Sequence, residues 1–136
     1  MSNKQLGNAF ERDLAMLLFR KGFWVHPVVP NAAGQQPADL LAIKDGRAYL
    51  IDAKVCSGKY FPFKRIEENQ RSAMELWKEC GNGSGWFAFR IEGDEEVYFI
   101  SYHRLQQREM LGDVAISVND IRTSGLTMSD WSSVCI

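Results

Sequence analysis

The sequence predicts an α/β fold, a mixed central β-sheet flanked by helices in the order αβββαβ. Three observations carry that expectation. Apolar residues recur at helical spacing in two segments, residues 4–21 and 66–80. β-Rich runs lie between and after them, most clearly Asp39 to Lys44 and Arg47 to Val55. Asp45-Gly46 joins those two runs, and a two-residue Asp-Gly link favours a type I′ hairpin because that turn needs positive φ at both positions.

In the first helix Leu6, Phe10, Leu14, Leu17 and Leu18 form one apolar face, and Gly22 follows as a stop signal. Phe23 to Val29 is a short β-prone run interrupted by Pro27. Pro30 to Pro37 is rich in turn formers and reads as a loop. Both arms of the hairpin are nearly continuously apolar, as expected of strands covered on both faces, so the hairpin belongs in the middle of the domain. Ser57 to Arg65 reads as a loop that interleaves basic and aromatic residues. The second helix presents Ile66, Ala73, Met74, Trp77 and Cys80 on one face and ends in a glycine-rich stretch at 81–85. Trp86 to Ile91 and Val97 to Ser101 are two further strands around a Gly93-Asp94 turn, and Tyr102 to Met110 a short helix. Beyond Gly112 the signals weaken, with Trp131 docking a C-terminal turn.

A chain of 136 residues suits a single domain over residues 1–136, with its core at about 4–101 and an extension over 102–136. No stretch approaches the roughly 18 apolar residues of a membrane helix, and the start lacks the pattern of a signal peptide. Cys56, Cys80 and Cys135 form no zinc-ligand pattern and read as inert thiols, which points to a reducing cytoplasm. The net charge of −1 gives no global attraction to nucleic acid. Locally, however, Lys54, Lys59, Lys64, Arg65 and Arg71 fall within eighteen positions, as a solvated basic face or as a track for a phosphate backbone.

The hairpin register carries the chemistry. Counting back from the Asp45-Gly46 turn pairs Lys44 with Arg47, Ile43 with Ala48 and Asp39 with Asp52. The last pair falls in the non-hydrogen-bonded class, with Cα atoms about 4.5 Å apart. Facing like charges destabilise a sheet, so two carboxylates meeting on an apolar hairpin need a cause. One Asp can be protonated. Lys54, on the same strand face as Asp52, can neutralise the pair. A divalent cation can sit between the carboxylates. A purely structural ion cluster is the remaining alternative. Taken alone, Glu11, at the edge of the first helix's apolar stripe, reads as a solvated helix residue, and Gln70, within the second, as a core amide bonded to backbone; taken with two facing Asp and a Lys, they read as a convergent site.

Pro37-Ala-Asp39, twelve residues, then Asp52-Ala-Lys54 resembles the D…(D/E)-x-K signature of the PD-(D/E)XK nuclease superfamily. Glu11, in Gly7-Asn-Ala-Phe-Glu11, and Gln70 match accessory positions of several branches. The run from Pro37 to about Ile91 looks most like the RecU-type Holliday junction resolvases, and the Gly-x-x-Phe-Glu opening is similar to the archaeal resolvases. The resemblance implies a restriction-endonuclease-like core and a metal-dependent endonuclease acting on DNA, branched DNA included, as a homodimer. It implies that Asp39, Asp52 and the Ala53 carbonyl ligate Mg²⁺ or Mn²⁺. Lys54 orients or activates the attacking water, Glu11 serves a second metal or a water, and Gln70 supports the site. Two departures stand out: Asp52 replaces the more usual Glu, and only the short segment Pro27–Pro37 stands where RecU-type proteins carry a long projection. Lys59, Tyr60, Lys64, Arg65 and Arg71 are the candidate DNA contacts. Phe61 and Phe63 either stack on bases or cover the sheet edge. His26 and His103 have no ligand spacing, and Trp24, Trp77, Trp86 and Trp131 read as core. Other readings are a nuclease of restriction or repair type, an inert nuclease fold that binds DNA, and a structural interaction protein.

Overall fold

Asp45 and Gly46 take φ of 52° and 77°, and the hairpin they close has the predicted register, from Lys44↔Arg47 to Leu40↔Ile51. In the computed structural model, which describes residues 2–134, this hairpin fills the second and third positions of the six-stranded main sheet, with strands on both sides. Its arms are β2 (Leu40–Lys44) and β3 (Arg47–Cys56). Outside β2 lies β1 (Trp24–Pro27); beyond β3 lie β5 (Trp86–Ile91), β6 (Val97–Ser101) and β8 (Leu126–Thr127). β3 and β5 are parallel and the other pairings antiparallel, so the sheet is mixed as expected.

Helices cover both faces. α1 (Asn3–Arg20) opens with a Ser2–Gln5 capping box and buries Phe10, Leu14 and Leu18 against Ala42, Ile51 and Ala88. The parallel crossover from β3 to β5 carries α2 (Glu68–Glu79) over the opposite face. There Met74 joins Leu50, Phe87 and Phe89.

Three expectations are corrected. The second helix starts at Glu68, not at residue 66. Ile66 is buried, but it follows a 3₁₀ turn (Phe63–Arg65) with its backbone extended. The segment from Ser57 to Arg65 is not only a loop, because it holds β4 (Tyr60–Pro62), paired with β7 (Ala115–Ser117) in a small second sheet. Strand propensity alone did not mark β4, since its partner lies more than fifty residues away in a weakly patterned region. Phe61 and Phe63 are buried there and so cover the core rather than offer faces to bases. Cys80 is exposed at the end of α2, whereas burial pushes the Cys56 thiol up to about 11. Cys135 lies outside the described residues.

Past β6 come α3 (Tyr102–Met110), as expected, then β7, α4 (Val118–Ser124), β8 and α5 (Met128–Val134). Trp131 of α5 is fully buried, stacked on Phe99 at 4.3 Å and on Phe23 at 5.3 Å, with Tyr49 and Trp86 edge-on. The last helix is therefore pinned to the core by one large ring. Trp77 and Trp86 are half-buried, but Trp24 is 57% exposed, contrary to the expectation for all four tryptophans.

Trp131→Ala should lower unfolding free energy by about 3–5 kcal/mol, as for other large aromatic truncations in a core. Chemical denaturation reads it directly, and a loss below about 1 kcal/mol would show that the ring is not packed as described.

Candidate active site

The site forms where the hairpin arms separate. The regular ladder ends at Leu40↔Ile51, one step short of the expected Asp39–Asp52 pair. At Asp39 the backbone N–H reaches the Ile51 carbonyl (3.1 Å), and the side-chain Oδ2 accepts the Ala53 N–H (2.7 Å). A carboxylate thus stands in for a backbone acceptor, fixing Asp39 against β3. Asp39 and Asp52 are 8% and 1% exposed, close enough for each charge to act on the other.

Lys54 and Gln70 hold the other side of Asp52. Lys54 Nζ lies 3.2 Å from Asp52 Oδ2 and donates to the Arg65 carbonyl (3.1 Å) and to Gln70 Oε1 (3.2 Å). Gln70 Nε2 donates to Asp52 Oδ1 (3.2 Å), while Gln70 Oε1 also accepts the Glu67 N–H (3.0 Å) in the capping box of α2. Glu11 arrives from the opposite helix, half-buried and near enough to Asp39 to feel its charge. All five residues proposed for chemistry, Glu11, Asp39, Asp52, Lys54 and Gln70, therefore meet. The Arg65 carbonyl and the Glu67 N–H were missed, because backbone groups leave no mark in a sequence. Asn69, beside Gln70, donates to the Gln36 carbonyl (3.1 Å) and ties the loop before Asp39 to α2.

Electrostatics follow from this crowding. Burial pushes the Asp52 carboxyl well above the usual range, Asp39 beside it adds to the shift, and Lys54 opposes it. Glu11 rises from 4.5 to about 7, chiefly through burial, then through the charge of Asp39. Asp52 Oδ2 is buried beside the Lys54 ammonium, yet no donor is aimed at it along a hydrogen-bonding direction. That oxygen is ion-paired but accepts no hydrogen bond, so it retains lone pairs for a further ligand.

The donor set suits a hard divalent cation: carboxylate oxygens and a neighbouring backbone carbonyl at Ala53. Among the described residues no three His, Cys, Asp or Glu side chains form a complete metal-holding group.

The basic residues divide. Lys59 and Lys64 are exposed, as is Tyr60 at 63%. Arg65 is exposed too, but lies over Phe61 at 5.1 Å and donates to the Val55 carbonyl (2.9 Å). Arg71 is committed within the protein: it pairs with Glu109 (2.6 Å) and donates to the Phe63 and Ile66 carbonyls. It braces α2 against α3.

A family profile described as archaeal Holliday junction resolvase (Hjc) matches residues 2–132. The chain belongs to that family. No curated protein matches the sequence. Among solved structures, the fold is similar to that of Archaeoglobus fulgidus Hjc, described as a Holliday junction resolvase from an archaeal hyperthermophile. The TM-score is 0.71 at 16% identity, covering 94% of this chain and 99% of that one. The match extends through the C-terminal region, where the sequence resemblance had faded.

A carboxyl whose folded pKa exceeds its unfolded value adds stability that is fully present below the unfolded pKa and is lost as pH rises through the folded one. For Glu11 that window runs from 4.5 to about 7. The Tm of cation-free protein should therefore fall across this range, and Glu11→Gln should flatten part of the slope. A Tm that holds steady or climbs between pH 5 and pH 8 would contradict this picture of the cluster.

Proposed function

We propose that this resolvase-family chain is a structure-selective endonuclease that hydrolyses phosphodiesters in branched DNA at the Asp39–Asp52–Lys54 site. The observation that carries the reading is Asp52, a buried carboxyl with a raised pKa, set between a second carboxylate and a lysine, with one oxygen that accepts no hydrogen bond. Such a group costs folding energy in the free protein and gains a partner when the substrate complex assembles.

In this reading Asp39, Asp52, the Ala53 carbonyl and Glu11 hold Mg²⁺ or Mn²⁺, which supplies Lewis-acid stabilisation of charge at the phosphate. Lys54, held by the Arg65 carbonyl and Gln70, presents an ammonium to the charge that develops on phosphate oxygen. Glu11, half-buried beside Asp39, would serve a second metal or hold a metal-bound water. Gln70 bonds both Asp52 and Lys54 and keeps them in register. Lys59, Tyr60, Lys64 and Arg65 supply backbone contacts to the DNA.

Symmetric cleavage of a four-way junction needs two sites, and one chain carries one, so we place the enzyme as a homodimer. Met110, Leu111 and Val114, each more than 80% exposed near the end of α3, are the apolar residues best suited to meet a second copy. No helix among the described residues is long and apolar enough to cross a membrane. A cytoplasmic setting suits both the DNA substrate and the free thiols.

A labelled four-way junction, matched duplex and single strand should be incubated with Mg²⁺ or Mn²⁺. Paired symmetric cuts confined to the junction are expected, abolished by EDTA and by Asp52→Asn. Lys54→Ala should slow cleavage by roughly 10²–10³-fold, the usual effect of losing one donor to transition-state charge. Duplex cleavage alone would keep the site but discard branch selectivity; binding without cleavage of any substrate would favour an inert DNA-binding module. Sedimentation of a Met110→Asp, Val114→Asp double variant should show monomer where the unmodified chain shows dimer.

A further inference from the structure

Trp24 and His26 are exposed, on an edge strand that the proposed chemistry does not use. Their rings stack in parallel, with centroids 5.6 Å apart and planes within 6°. Their cross-strand partners place them on a definite face. Trp24 lies opposite Ile43 and His26 opposite Leu41, and those residues in turn face Ala48 and Leu50 on β3. Side chains alternate along β3, so Leu50, Asp52 and Lys54 share this face. Val25, Ala42 and Tyr49 take the other face and join the core beneath α1.

The row of Trp24 and His26 continues toward the carboxylates. Val28, the next residue on that face, donates its N–H to the Asp39 carbonyl (2.9 Å). At about 3.3 Å per residue, His26 stands roughly 7 Å and Trp24 roughly 13 Å along the strand from this point. α2 covers the β3 and β5 part of the face with Met74 and Gln70, whereas over β1 and β2 Leu41 and Ile43 are only half-buried. The result is an open aromatic platform on the same sheet face as the catalytic side chains.

We propose that Trp24, supported by His26, is a stacking platform for a base at the branch point of the DNA substrate, and so a residue that determines selectivity for branched DNA. This rests on the reading of the site as a nuclease for branched DNA. A continuous duplex offers no free base face, because each pair is covered above and below. At a branch point the terminal pair of an arm can lose one stacking neighbour, and an aromatic ring can replace it. Stacking is tolerant of base identity, since every base has a π-face, which matches selection by shape rather than by sequence. The alignment of the rings with the site favours DNA over a protein partner, whose place would not need to track the catalytic face.

The test compares a four-way junction with a linear duplex of the same sequence, in EDTA so that nothing is cut. Binding is read by anisotropy for wild type, Trp24→Ala, Trp24→Phe and His26→Ala, with 2-aminopurine placed at the branch point. Trp24→Ala should weaken junction binding by roughly 5- to 100-fold, leave duplex binding unchanged and lose the quenching of 2-aminopurine. Trp24→Phe, which keeps a π-face, should retain most of the affinity, and an unchanged Tm for each variant excludes misfolding. Equal loss on both substrates, or no loss on either, overturns the proposal. Loss that follows dissociation of a dimer in sedimentation also overturns it, by assigning the face to a second copy. If wild type cuts junctions in Mg²⁺ while Trp24→Ala binds them as well as wild type, only this inference falls. If wild type neither binds nor cuts them, the nuclease reading falls with it.

Discussion

Two carboxylates, Asp39 and Asp52, meet in a place from which water is almost excluded, and the surrounding structure is arranged to make that contact tolerable. Burial and mutual repulsion both oppose ionisation, as the raised pKa of Asp52 records. Three devices offset this cost. The Ala53 N–H is spent on the Asp39 carboxylate, Lys54 lies beside Asp52, and Gln70 bridges Asp52 and Lys54. Only the Lys54–Asp52 pair is local to one strand. The contacts come from the hairpin, from the helix that crosses over it and from the carbonyl of Arg65.

That arrangement explains the layering. α1 and α2 lie on opposite faces of the hairpin, yet Glu11 and Gln70 reach the same carboxylates because the arms diverge at Asp39 and open the edge of the sheet. A site buried within a continuous ladder would be closed to substrate, and one on a loop would not hold its geometry. The end of a hairpin provides both rigidity and access. The family match places the chain among the archaeal-type resolvases, and its fold is similar to that of the Archaeoglobus fulgidus protein.

Much of this was legible in the amino-acid sequence, for identifiable reasons. Asp45-Gly46 fixes the turn, the turn fixes the register, and the register brings Asp39 and Asp52 together; each step is short-range and strongly patterned. Glu11 and Gln70 were visible as polar residues beside or within apolar helical stripes. The irregularity at Asp39 was not visible, because a side chain replacing a backbone acceptor has no periodic signature. β4 and β7 were missed because each is three residues long and stable only through the other. Arg71 looked like a DNA contact on charge alone, whereas Glu109, thirty-eight positions away, claims it. Trp24 looked like core because tryptophans are usually well covered, and nothing in the sequence marks where α2 stops shielding the sheet.

The amide of Gln70 belongs to two structures at once: it completes the cap of α2 and it holds Asp52 and Lys54. Opening the first turn of that helix takes a bond from the lysine and a bond from the carboxylate at once. With the site as proposed, the fold therefore has a fail-safe quality, because damage to the scaffold and loss of cutting ability coincide. For an agent that severs a genome's strands, a molecule that begins to unravel falls silent rather than turning indiscriminate.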